Sequence, residues 1–364
     1  MYKKFIILTF FAASLLLCAG TPEKAGFKNP TLENPQSWTM VVVPDIQGYI
    51  KRIHNHGIFD IMTSWIYVNK HPLNIRQILF TGDLVNHNHI GEIRPDHIDL
   101  VAKEQWKALS GMMEKFDGYM PYILCTGNHD YGEKNSENRL TSFNDFFPSD
   151  RNPLTREQLI MCGKNTFGVR TLENAAYEFT APAPDGRKFL IITLQFAPTS
   201  EQLDWAKSVA DDPKFADHFG ILLIHAYMRA NGTLIEKENY VISKEDGGLP
   251  GKTTFEKLVY PAKNIRLVVC GHVLGIDDWN KSVGFKMTKN SSGKSVAQMV
   301  FNTQAIGGGL SGSGGDGWLR LLEFMPDKKT IKAKTFSPFF AISPSTRDLA
   351  WKTDEKNEFS FVIE

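Results

Sequence analysis

The sequence contains little cysteine, with four residues in a chain of 364. One of them, Cys18, lies in an apolar N-terminal segment, which leaves Cys125, Cys162 and Cys270 in the rest of the chain. Three cysteines cannot form a full disulfide framework, so the fold must depend on a hydrophobic core. Cys125 and Cys270 lie inside apolar runs, and we expect both to be small buried hydrophobic residues.

The sequence also lacks an excess of either charge. It has 41 lysine and arginine residues against 40 aspartate and glutamate residues, a formal net charge of +1. Proteins that bind nucleic acid through bulk electrostatics carry a strong positive excess or a basic stripe. The composition therefore argues against a nuclease and against a nucleic-acid partner.

Apolar runs long enough to span a membrane are missing as well. The first 20 residues place Lys3 and Lys4 before a short apolar run that ends at Cys18, a pattern typical of a secretory signal peptide. We therefore expect an exported protein, whether periplasmic, cell-surface or secreted. Cys18 is a candidate lipid acceptor, but Leu17 stands before it where a small residue is usual, so we favour plain export over a lipid anchor.

The chain after residue 20 divides by its pattern into three parts. Residues 21–37 form a polar, proline-bearing lead that we expect to be extended. Residues 38–338 alternate apolar runs of strand length with helical patterns, and we interpret them as one domain. Residues 339–364 follow as a C-terminal extension that we expect to pack on this domain.

Helical patterns lie between the apolar runs. One stripe has apolar residues at intervals of three and four, which predicts an amphipathic helix. Its members are Ala102, Trp106, Leu109, Met113 and Phe116. Thr199 with Gln202, and Thr253 with Glu256, have the spacing of capping boxes and predict the starts of two further helices.

Five apolar runs end in polar residues that can bind a metal ion or move a proton. The runs WTMVVVPD, RQILFTGD, YILCTGNHD, GILLIHAY and IRLVVCGH deliver Asp45, Asp83, Asn128 with His129 and Asp130, His225, and His272. Strands that alternate with helices predict a largely parallel sheet covered on its faces. In such sheets the ligand site lies beyond the carboxyl ends of the strands, so we expect these side chains to meet there.

The pattern changes after about Ser295. The runs SVAQMVFNTQ, GWLRLLEFM and TIKAKTFSP, together with AAYEFTAP and KFLIITLQF, predict a second and more antiparallel sheet. The segment 131–167 is long and polar with little periodicity, so we interpret it as a loop near the site. The glycine-rich segment from Ile306 to Gly317 lacks the ending of a phosphate-binding loop, and we expect a mobile loop beside the cleft.

A divalent cation accounts for the convergence of these polar residues. Buried carboxylate and imidazole groups without a cation would be costly to desolvate. Carboxylate oxygen, amide oxygen and imidazole nitrogen suit Mn, Fe, Zn or Mg better than the metals that prefer thiolates. The residues therefore predict a site for divalent metal ions at the strand ends.

The motifs PDIQ, GDLVN, GNHD, LLIHAY and CGHV, in this order and spacing, resemble those of the calcineurin-like metallophosphoesterases. The resemblance extends from about Trp38 to Pro338, and the ending GGDGWLRLLEF resembles that of exported bacterial members. It implies an α/β fold, a two-sheet sandwich flanked by helices, with a site for two metal ions. It also implies hydrolysis of a phosphate mono- or diester of a small molecule by a water that the metal activates.

The resemblance assigns the metal-ligand positions residue by residue. They fall on Asp45, Gln47, Asp83, Asn128, His225 and His272. Asp83 is then shared by both ions, and the ion that also takes the asparagine and both histidines has a complete set. The other ion has a reduced set, because Gln47 and Leu274 stand where the family has histidine. An amide oxygen is a weaker donor than imidazole and leucine offers none, so we predict one tight metal site and one weaker site.

Two residues of the GNHD motif are predicted to act in catalysis. His129 is not needed as a ligand, and we expect it to protonate the leaving oxygen while Asp130 orients its ring. The function predicted from the sequence is a phosphoesterase with a small phosphorylated substrate. The alternative is a catalytically weak or inactive protein that binds metal and phosphate on the same fold.

Four other residues follow the motifs closely enough to be alternative ligands for the weaker ion. They are His87, His89, Asp277 and Asp278. We favour the simpler interpretation that these are solvated loop residues.

Overall fold

The computed structural model describes residues 27–89 and 99–364. The expected signal peptide at residues 1–20, the candidate lipid acceptor Cys18 and the first part of the lead lie outside the described residues. Within the described ranges, no helix is long and apolar enough to cross a membrane.

The strands of the described residues are short and mostly buried. In chain order they are β1 (Trp38–Val43), β2 (Ile75–Phe80), β3 (Tyr122–Leu124), β4 (Leu159–Lys164), β5 (Arg170–Thr180), β6 (Lys188–Leu194), β7 (Phe219–Ile224), β8 (Ile265–Cys270), β9 (Val283–Lys289), β10 (Ser295–Phe301), β11 (Leu319–Phe324), β12 (Thr330–Phe336), β13 (Trp351–Lys352) and β14 (Phe359–Val362).

These strands form two mixed sheets of seven strands each. The first sheet has the order β13-β12-β11-β1-β2-β3, and β14 also pairs with β12. In it, β1, β2 and β3 are parallel and the remaining pairs are antiparallel. The second sheet has the order β4-β5-β6-β7-β8-β10-β9. Its central strands β6, β7, β8 and β10 are parallel, and both edges are antiparallel.

Helices connect and cover the strands. They are α1 (Gln47–Ile50), α2 (Ile53–Val68), α3 (Ala102–Met113), α4 (Phe143–Phe146), α5 (Pro153–Gln158), α6 (Ser200–Ala210), α7 (Val241–Lys244), α8 (Gly251–Thr254), α9 (Trp279–Ser282) and α10 (Pro338–Ala341). The predicted apolar stripe is confirmed, since its members within α3 are all buried. The capping box of Thr199 and Gln202 at the start of α6 is confirmed too.

The predicted helix start at Thr253 is wrong. The helix α8 begins at Gly251, directly after Pro250, and continues as a π-helical turn at Phe255–Val259. The first N–H groups of a helix have no hydrogen-bond partner within the helix. A proline at this end, which lacks an N–H group, therefore costs little stability and marks the start.

The two sheets pack face to face across a hydrophobic core. Trp38 of β1 stacks on Phe324 of β11 at 4.2 Å between ring centroids, and meets Phe189 of the second sheet edge-on at 5.2 Å. The outer face of the first sheet is covered by α2 and α3, and that of the second by α6 and the π-helical turn. The predicted α/β fold, a two-sheet sandwich flanked by helices, is therefore confirmed.

The expectation that the five site-bearing strands share one largely parallel sheet is wrong. β1, β2 and β3 lie in the first sheet, whereas β7 and β8 lie in the second. The run SVAQMVFNTQ, assigned to an antiparallel sheet, forms β10 and lies parallel beside β8. Apolar periodicity marks a strand but does not identify its neighbour, because pairing depends on contacts distant in sequence.

The interpretation of segment 131–167 as a loop is partly wrong. It contains α4, α5 and the edge strand β4, which pairs antiparallel with β5. This strand was missed because its apolar run, Leu159 to Cys162, is only four residues long and directly follows a polar segment, and the strand itself is largely half-buried or exposed. Two short strands of the C-terminal segment, β13 and β14, pair with β12.

Candidate metal centre

The parallel strands of both sheets end at a common edge, and polar residues at that edge form the candidate centre. The residues that follow β1, β2, β3, β7 and β8 there are Asp45, Asp83, Asn128, His225 and His272. The first three come from one sheet and the two histidines from the other. The centre therefore lies between the two sheets.

Glycines directly precede Asp83, Asn128 and His272, because the chain has no room for a Cβ atom there. A Cβ at Gly127 would lie 2.2 Å from Asp83 Oδ1, and a Cβ at Gly271 would lie 2.0 Å from Asp45 Oδ1. Asp83 and His272 themselves adopt positive φ angles of 49° and 71°. Such angles cost a non-glycine residue about 1–3 kcal/mol and persist where the surroundings hold the side chain for a function.

Four side-chain atoms meet at the centre. The Nε2 atom of His225 lies 3.3 Å from Asp83 Oδ1 and 3.0 Å from Asn128 Oδ1. The Nδ1 atom of His272 lies 2.9 Å from the same Asn128 oxygen and 3.1 Å from His225 Nε2. Ligand atoms around a metal ion at about 2.0–2.2 Å are separated by distances of this order.

Three of these four side chains are held in place by a contact of their other polar atom. His225 Nδ1 donates to the Thr81 carbonyl at 2.8 Å, so that Nε2 presents its lone pair to the centre. The amide of Asn128 donates to the side chain of Asn135, which turns the Asn128 oxygen inward. The Nε2 atom of His272 lies 3.3 Å from Glu238 Oε1, which leaves Nδ1 facing the centre. The centre thus collects lone pairs, and a cation fits among them.

Burial and neighbouring charges shift the pKa values at the centre. Burial disfavours a charged His225 ring, but the carboxylates of Asp83 and Asp45 outweigh it and raise the His225 pKa to about 10. Burial raises the pKa of Asp45 to about 7. Burial also opposes ionisation of Asp83, yet the rings of His225 and His129 hold the Asp83 pKa below its usual range. The cluster therefore needs positive charge, either as a proton on His225 or as a cation.

A smaller set of donors surrounds Asp45 and Gln47. Asp45, Asp83 and His225 each offer one ligand atom within 4.8 Å of the others. Gln47 Nε2 donates to Asp83 Oδ2 at 2.9 Å, and Gln47 Oε1 is buried without a hydrogen-bond partner among the described residues. Leu274 lines the cavity beside them and offers no donor. A second cation therefore finds an incomplete set here.

His129 and Asp130 do not contact each other's side chains as expected, and each has other partners. The ring of His129 lines the cavity, and its Nδ1 atom lies 2.9 Å from the carbonyl oxygen of Asn86. Asp130 accepts backbone N–H groups from Leu84, Val85 and Gly127, which occupies both of its oxygens. The prediction that Asp130 orients the His129 ring is wrong, because a carbonyl performs that task and Asp130 joins two backbone loops.

The four alternative ligands lie elsewhere. The Nε2 atom of His87 lies 3.9 Å from Asp99 Oδ2, and the Nε2 atom of His89 lies 3.1 Å from the hydroxyl oxygen of Ser142. Asp277 accepts the backbone N–H groups of residues 307 and 308, while Asp278 caps α9. The structure therefore engages all four in loop contacts away from the centre.

A cavity of about 180 Å³ opens beside the centre. Its lining residues are Gln47, Gly48, Lys51, Asp83, Asn86, Asn128, His129, Tyr240, His272, Leu274, Gln304 and Leu310. Leu310 belongs to the glycine-rich segment, which confirms that this segment lies beside the cleft; its predicted mobility stays a prediction. Residues of both sheets and of the loops between them therefore shape one opening.

Sequence reasoning missed several polar residues of the centre. Asn302 and Gln304 donate to Asp45 Oδ2 at 2.7 and 3.2 Å, and Glu238 faces His272. Asn302 and Gln304 follow β10 in the run VFNTQ, which has the same pattern of an apolar strand with a polar end as the other five. That pattern was the available signal. Glu238 lies in a polar loop, and nothing in the sequence distinguishes it from its neighbour Glu236.

Comparison with known proteins gives three findings. The family model described as calcineurin-like phosphoesterase matches residues 39–275. The curated protein YvnB of Bacillus subtilis (strain 168), named as uncharacterized, is 27% identical over 306 residues, which cover 83% of this chain and 20% of YvnB. A solved structure titled "GAP50 the anchor in the inner membrane complex of Plasmodium" aligns over 90% of this chain and 89% of its own, with 10% identity and a TM-score of 0.45.

This chain thus spans about a fifth of the length of the curated relative that it matches. The family model covers more than half of the chain and includes every strand end that contributes Asp45, Asp83, Asn128, His225 and His272 to the centre. On this match, the chain belongs to the calcineurin-like phosphoesterase family.

Proposed function

We propose that this chain is an exported, metal-dependent phosphoesterase that hydrolyses a phosphate mono- or diester of a small molecule. The observation that carries the proposal is the convergence of four lone-pair atoms at one point between the sheets. Family membership supplies the reaction class. The cavity beside these atoms supplies a place for the substrate.

A divalent cation at these four atoms supplies Lewis acidity toward the phosphoryl oxygens and lowers the pKa of a nearby water. Mn, Fe, Zn and Mg all suit a mixture of oxygen and nitrogen donors. Asp83, Asn128, His225 and His272 would hold it. Hydrogen bonds orient Asn128 and His225 before the cation binds, and the Glu238 carboxylate beside Nε2 orients His272. The weaker second position predicted from the sequence falls beside Gln47, where the donors are fewer.

His129 is the proton donor in this proposal. Its Nδ1 atom is fixed on the Asn86 carbonyl, which requires a proton on that nitrogen and turns Nε2 away from it. Because the ring lines the cavity, a protonated Nε2 can donate to the leaving oxygen of a bound ester. Asp130 acts through the backbone loops that it joins, and it touches neither substrate nor cation.

The cavity restricts the substrate. Its volume of about 180 Å³ is below the roughly 300–1,000 Å³ of pockets that enclose a whole small molecule. We infer that it holds the phosphate end of the substrate while the rest of the alcohol extends outward. The near-zero net charge of the chain gives no electrostatic support to a nucleic acid as substrate.

A hydrolysis assay tests the proposal. The protein is freed of metal with a chelator, given Mn, Fe, Zn or Mg in turn, and offered an aryl phosphate monoester and an aryl phosphate diester. We expect turnover with at least one ester and one metal. Asp83→Ala removes a carboxylate ligand and should abolish turnover, whereas His89→Ala changes a histidine engaged with Ser142 and should leave it intact.

The alternative function predicts a different result in the same assay. A non-catalytic binding protein would take up the metal and would bind inorganic phosphate without hydrolysing any ester of the panel. Metal uptake without turnover, with the Asp83→Ala variant losing the uptake, would overturn the proposed enzyme.

Export is proposed from the sequence alone, on the signal-peptide pattern of the first 20 residues. Mass spectrometry of the full chain, expressed in a bacterium and recovered from outside the cytoplasm, tests it. We expect a protein that lacks the N-terminal segment, with no added lipid mass. Recovery of the intact chain from the cytoplasm would contradict export. A lipid on Cys18 would show that the protein is exported as a lipoprotein.

A further inference from the structure

The carboxylate of Asp45 already accepts four hydrogen bonds, three of them on one oxygen. Its Oδ1 atom accepts from the Thr81 hydroxyl at 2.8 Å. Its Oδ2 atom accepts from the His272 backbone N–H at 3.0 Å, from the Asn302 amide at 2.7 Å and from the Gln304 amide at 3.2 Å. Each carboxylate oxygen offers about two acceptor directions, so Oδ2 is fully occupied and Oδ1 keeps one direction free. Asp45 is fully buried and does not line the cavity.

Asn302 and Gln304 are placed on Asp45 by the fold. Both follow β10, which lies parallel beside β8 in the second sheet, and both are buried. Amide N–H groups that donate to a buried carboxylate stabilise its negative charge, and a bound cation would have the same effect. A cation would have to displace these donors in order to bind Asp45 Oδ2, and would leave buried amides without partners.

Gln47 contacts the second carboxylate of this part of the centre, that of Asp83. Its amide donates to Asp83 Oδ2, the oxygen that does not face His225. The acceptors left among these groups are one direction each on Asp45 Oδ1 and Asp83 Oδ2, and the neutral Gln47 Oε1. Three oxygens without an imidazole ligand are a poor site for a divalent cation, which takes four or more ligands in proteins. Leu274 adds an apolar wall where a further donor would be needed.

We propose that the amides of Gln47, Asn302 and Gln304 replace the second cation, so that this chain works with one metal ion per molecule. The proposal rests on the phosphoesterase function proposed above, and it replaces the weaker second site predicted from the sequence with a position that takes no ion. One divalent cation then balances the formal charge of Asp45 and Asp83. Asp45 becomes a positioning residue that holds the backbone of His272.

Lys51 supplies the positive charge that a substrate phosphate would otherwise meet at the second cation. It follows α1, which begins at Gln47, and it lines the same cavity. Among the described residues of that lining, it is the only lysine or arginine. Its Nζ atom forms an ion pair with Asp99 Oδ2 at 4.0 Å, which is too long for a hydrogen bond, so its N–H groups have no hydrogen-bond partner among the described residues and can donate to a phosphoryl oxygen.

Manganese binding tests the proposal without relying on activity. The metal-free full chain is titrated with Mn, and bound metal is counted by native mass spectrometry and by elemental analysis. Electron paramagnetic resonance then separates an isolated Mn ion from a magnetically coupled pair. We expect one ion per chain and the spectrum of an isolated ion, even with excess Mn.

The double substitution Gln47→His with Leu274→His restores two imidazoles at the second position and should add a second ion with a coupled spectrum. Leu310→His places an imidazole elsewhere on the cavity lining and serves as the matched control, so it should still bind one ion. If the double variant does not fold, the wild-type count and spectrum decide alone. Two ions with a coupled spectrum in the wild-type chain would overturn the proposal.

The same samples separate this proposal from the function on which it rests. Two ions together with ester hydrolysis would overturn the single-ion proposal and leave the phosphoesterase intact. One ion without hydrolysis of any ester would overturn the enzyme. Lys51→Met should raise KM for an aryl phosphate about tenfold or more without changing the number of bound Mn ions. An unchanged KM would show that Lys51 does not bind the substrate.

Discussion

The outer nitrogen of His272 lies 3.3 Å from Glu238, so this carboxylate fixes the ring that offers its other nitrogen to the cation. Partners of this kind set the orientation and basicity of a ligand, and their loss weakens metal binding by about 10- to 100-fold. We expect Glu238→Gln to weaken Mn binding within that range. Competition against a chelating dye measures the change in affinity.

The same loop offers a matched control for this prediction. Glu236 is exposed, and its carboxylate pairs with Lys252 at 2.8 Å rather than with a residue of the centre. Glu236→Gln removes an equal charge from the loop and should leave the affinity unchanged. Equal losses of Mn affinity in both variants would point to a general electrostatic effect and would show that Glu238 does not orient the His272 ring.

His129 makes a second prediction at the residue scale, because a proton donor matters only when the leaving group needs a proton. His129→Asn should lower kcat on an alkyl phosphate by about 10²- to 10⁴-fold. Its effect on a nitrophenyl phosphate should be much smaller, since nitrophenolate leaves without protonation. Steady-state kinetics with both esters measure the two ratios.

Two outcomes decide this prediction. The Mn count should stay the same in His129→Asn, because the ring is no ligand of the cation and only its backbone N–H reaches Asp83. Equal losses on the two esters would show that His129 acts in some way other than proton donation. A lost metal ion would assign the ring to the metal site.

At the scale of elements, Asp130 joins the loop after β2 to the loop after β3 by accepting backbone N–H groups from both. Removing the side chain leaves three buried donors unpaired, and each unpaired donor costs about 1–3 kcal/mol. We expect Asp130→Ala to lower the free energy of unfolding by roughly 3 kcal/mol or more, measured with urea. Asp145→Ala, at an exposed position of α4, should change it by less than about 0.5 kcal/mol. Similar values for both would contradict the linking role.

The elements that position the centre were predictable from the sequence to different degrees. Each strand that leads to Asp83, His225 or His272 carries a buried apolar run, and a glycine directly precedes Asp83 and His272; these signals are local. The assignment of strands to sheets was not predictable, because no local signal in β10 identifies β8 as its parallel neighbour.

The donors around Asp45 show the same limit at the centre itself. Asn302 lies 257 positions further along the chain, and its hydrogen bond to Asp45 depends on both sheets being in place. The partner of Asp130 was misassigned for a related reason. Sequence adjacency suggested His129, whereas the turn after β3 directs the carboxylate to backbone groups and gives the ring to the Asn86 carbonyl.

At the scale of the whole molecule, the candidate centre joins the two sheets. Asp83 and Asn128 follow strands of the first sheet, and His225 and His272 follow strands of the second. A cation bound to all four therefore links the layers of the sandwich. Because the ion binds the folded chain and finds no such set in the unfolded one, its binding free energy adds to the stability of the fold.

This link makes the stability of the chain depend on metal and pH together. In the ion-free chain the His225 pKa is raised from 6.5 to about 10, so its contribution to stability is complete below about pH 6.5 and is lost as pH rises toward 10. The Asp45 pKa is raised from 3.8 to about 7, so its protonated form also favours folding at low pH and this contribution is lost through pH 7. Both shifts weaken the ion-free chain as pH rises from about 6 to 8.

Metal binding has the opposite dependence on pH, because the cation must displace the proton of His225. Its affinity should rise by about tenfold per pH unit over this range for one displaced proton. We therefore expect Mn to raise the melting temperature more at about pH 8 than at about pH 6, relative to the same protein with chelator. Thermal unfolding in matched buffers measures both differences, and His225→Ala should lose the response at either pH. A metal effect that stays constant or shrinks as pH rises would mean that the cation does not replace the proton between the two sheets.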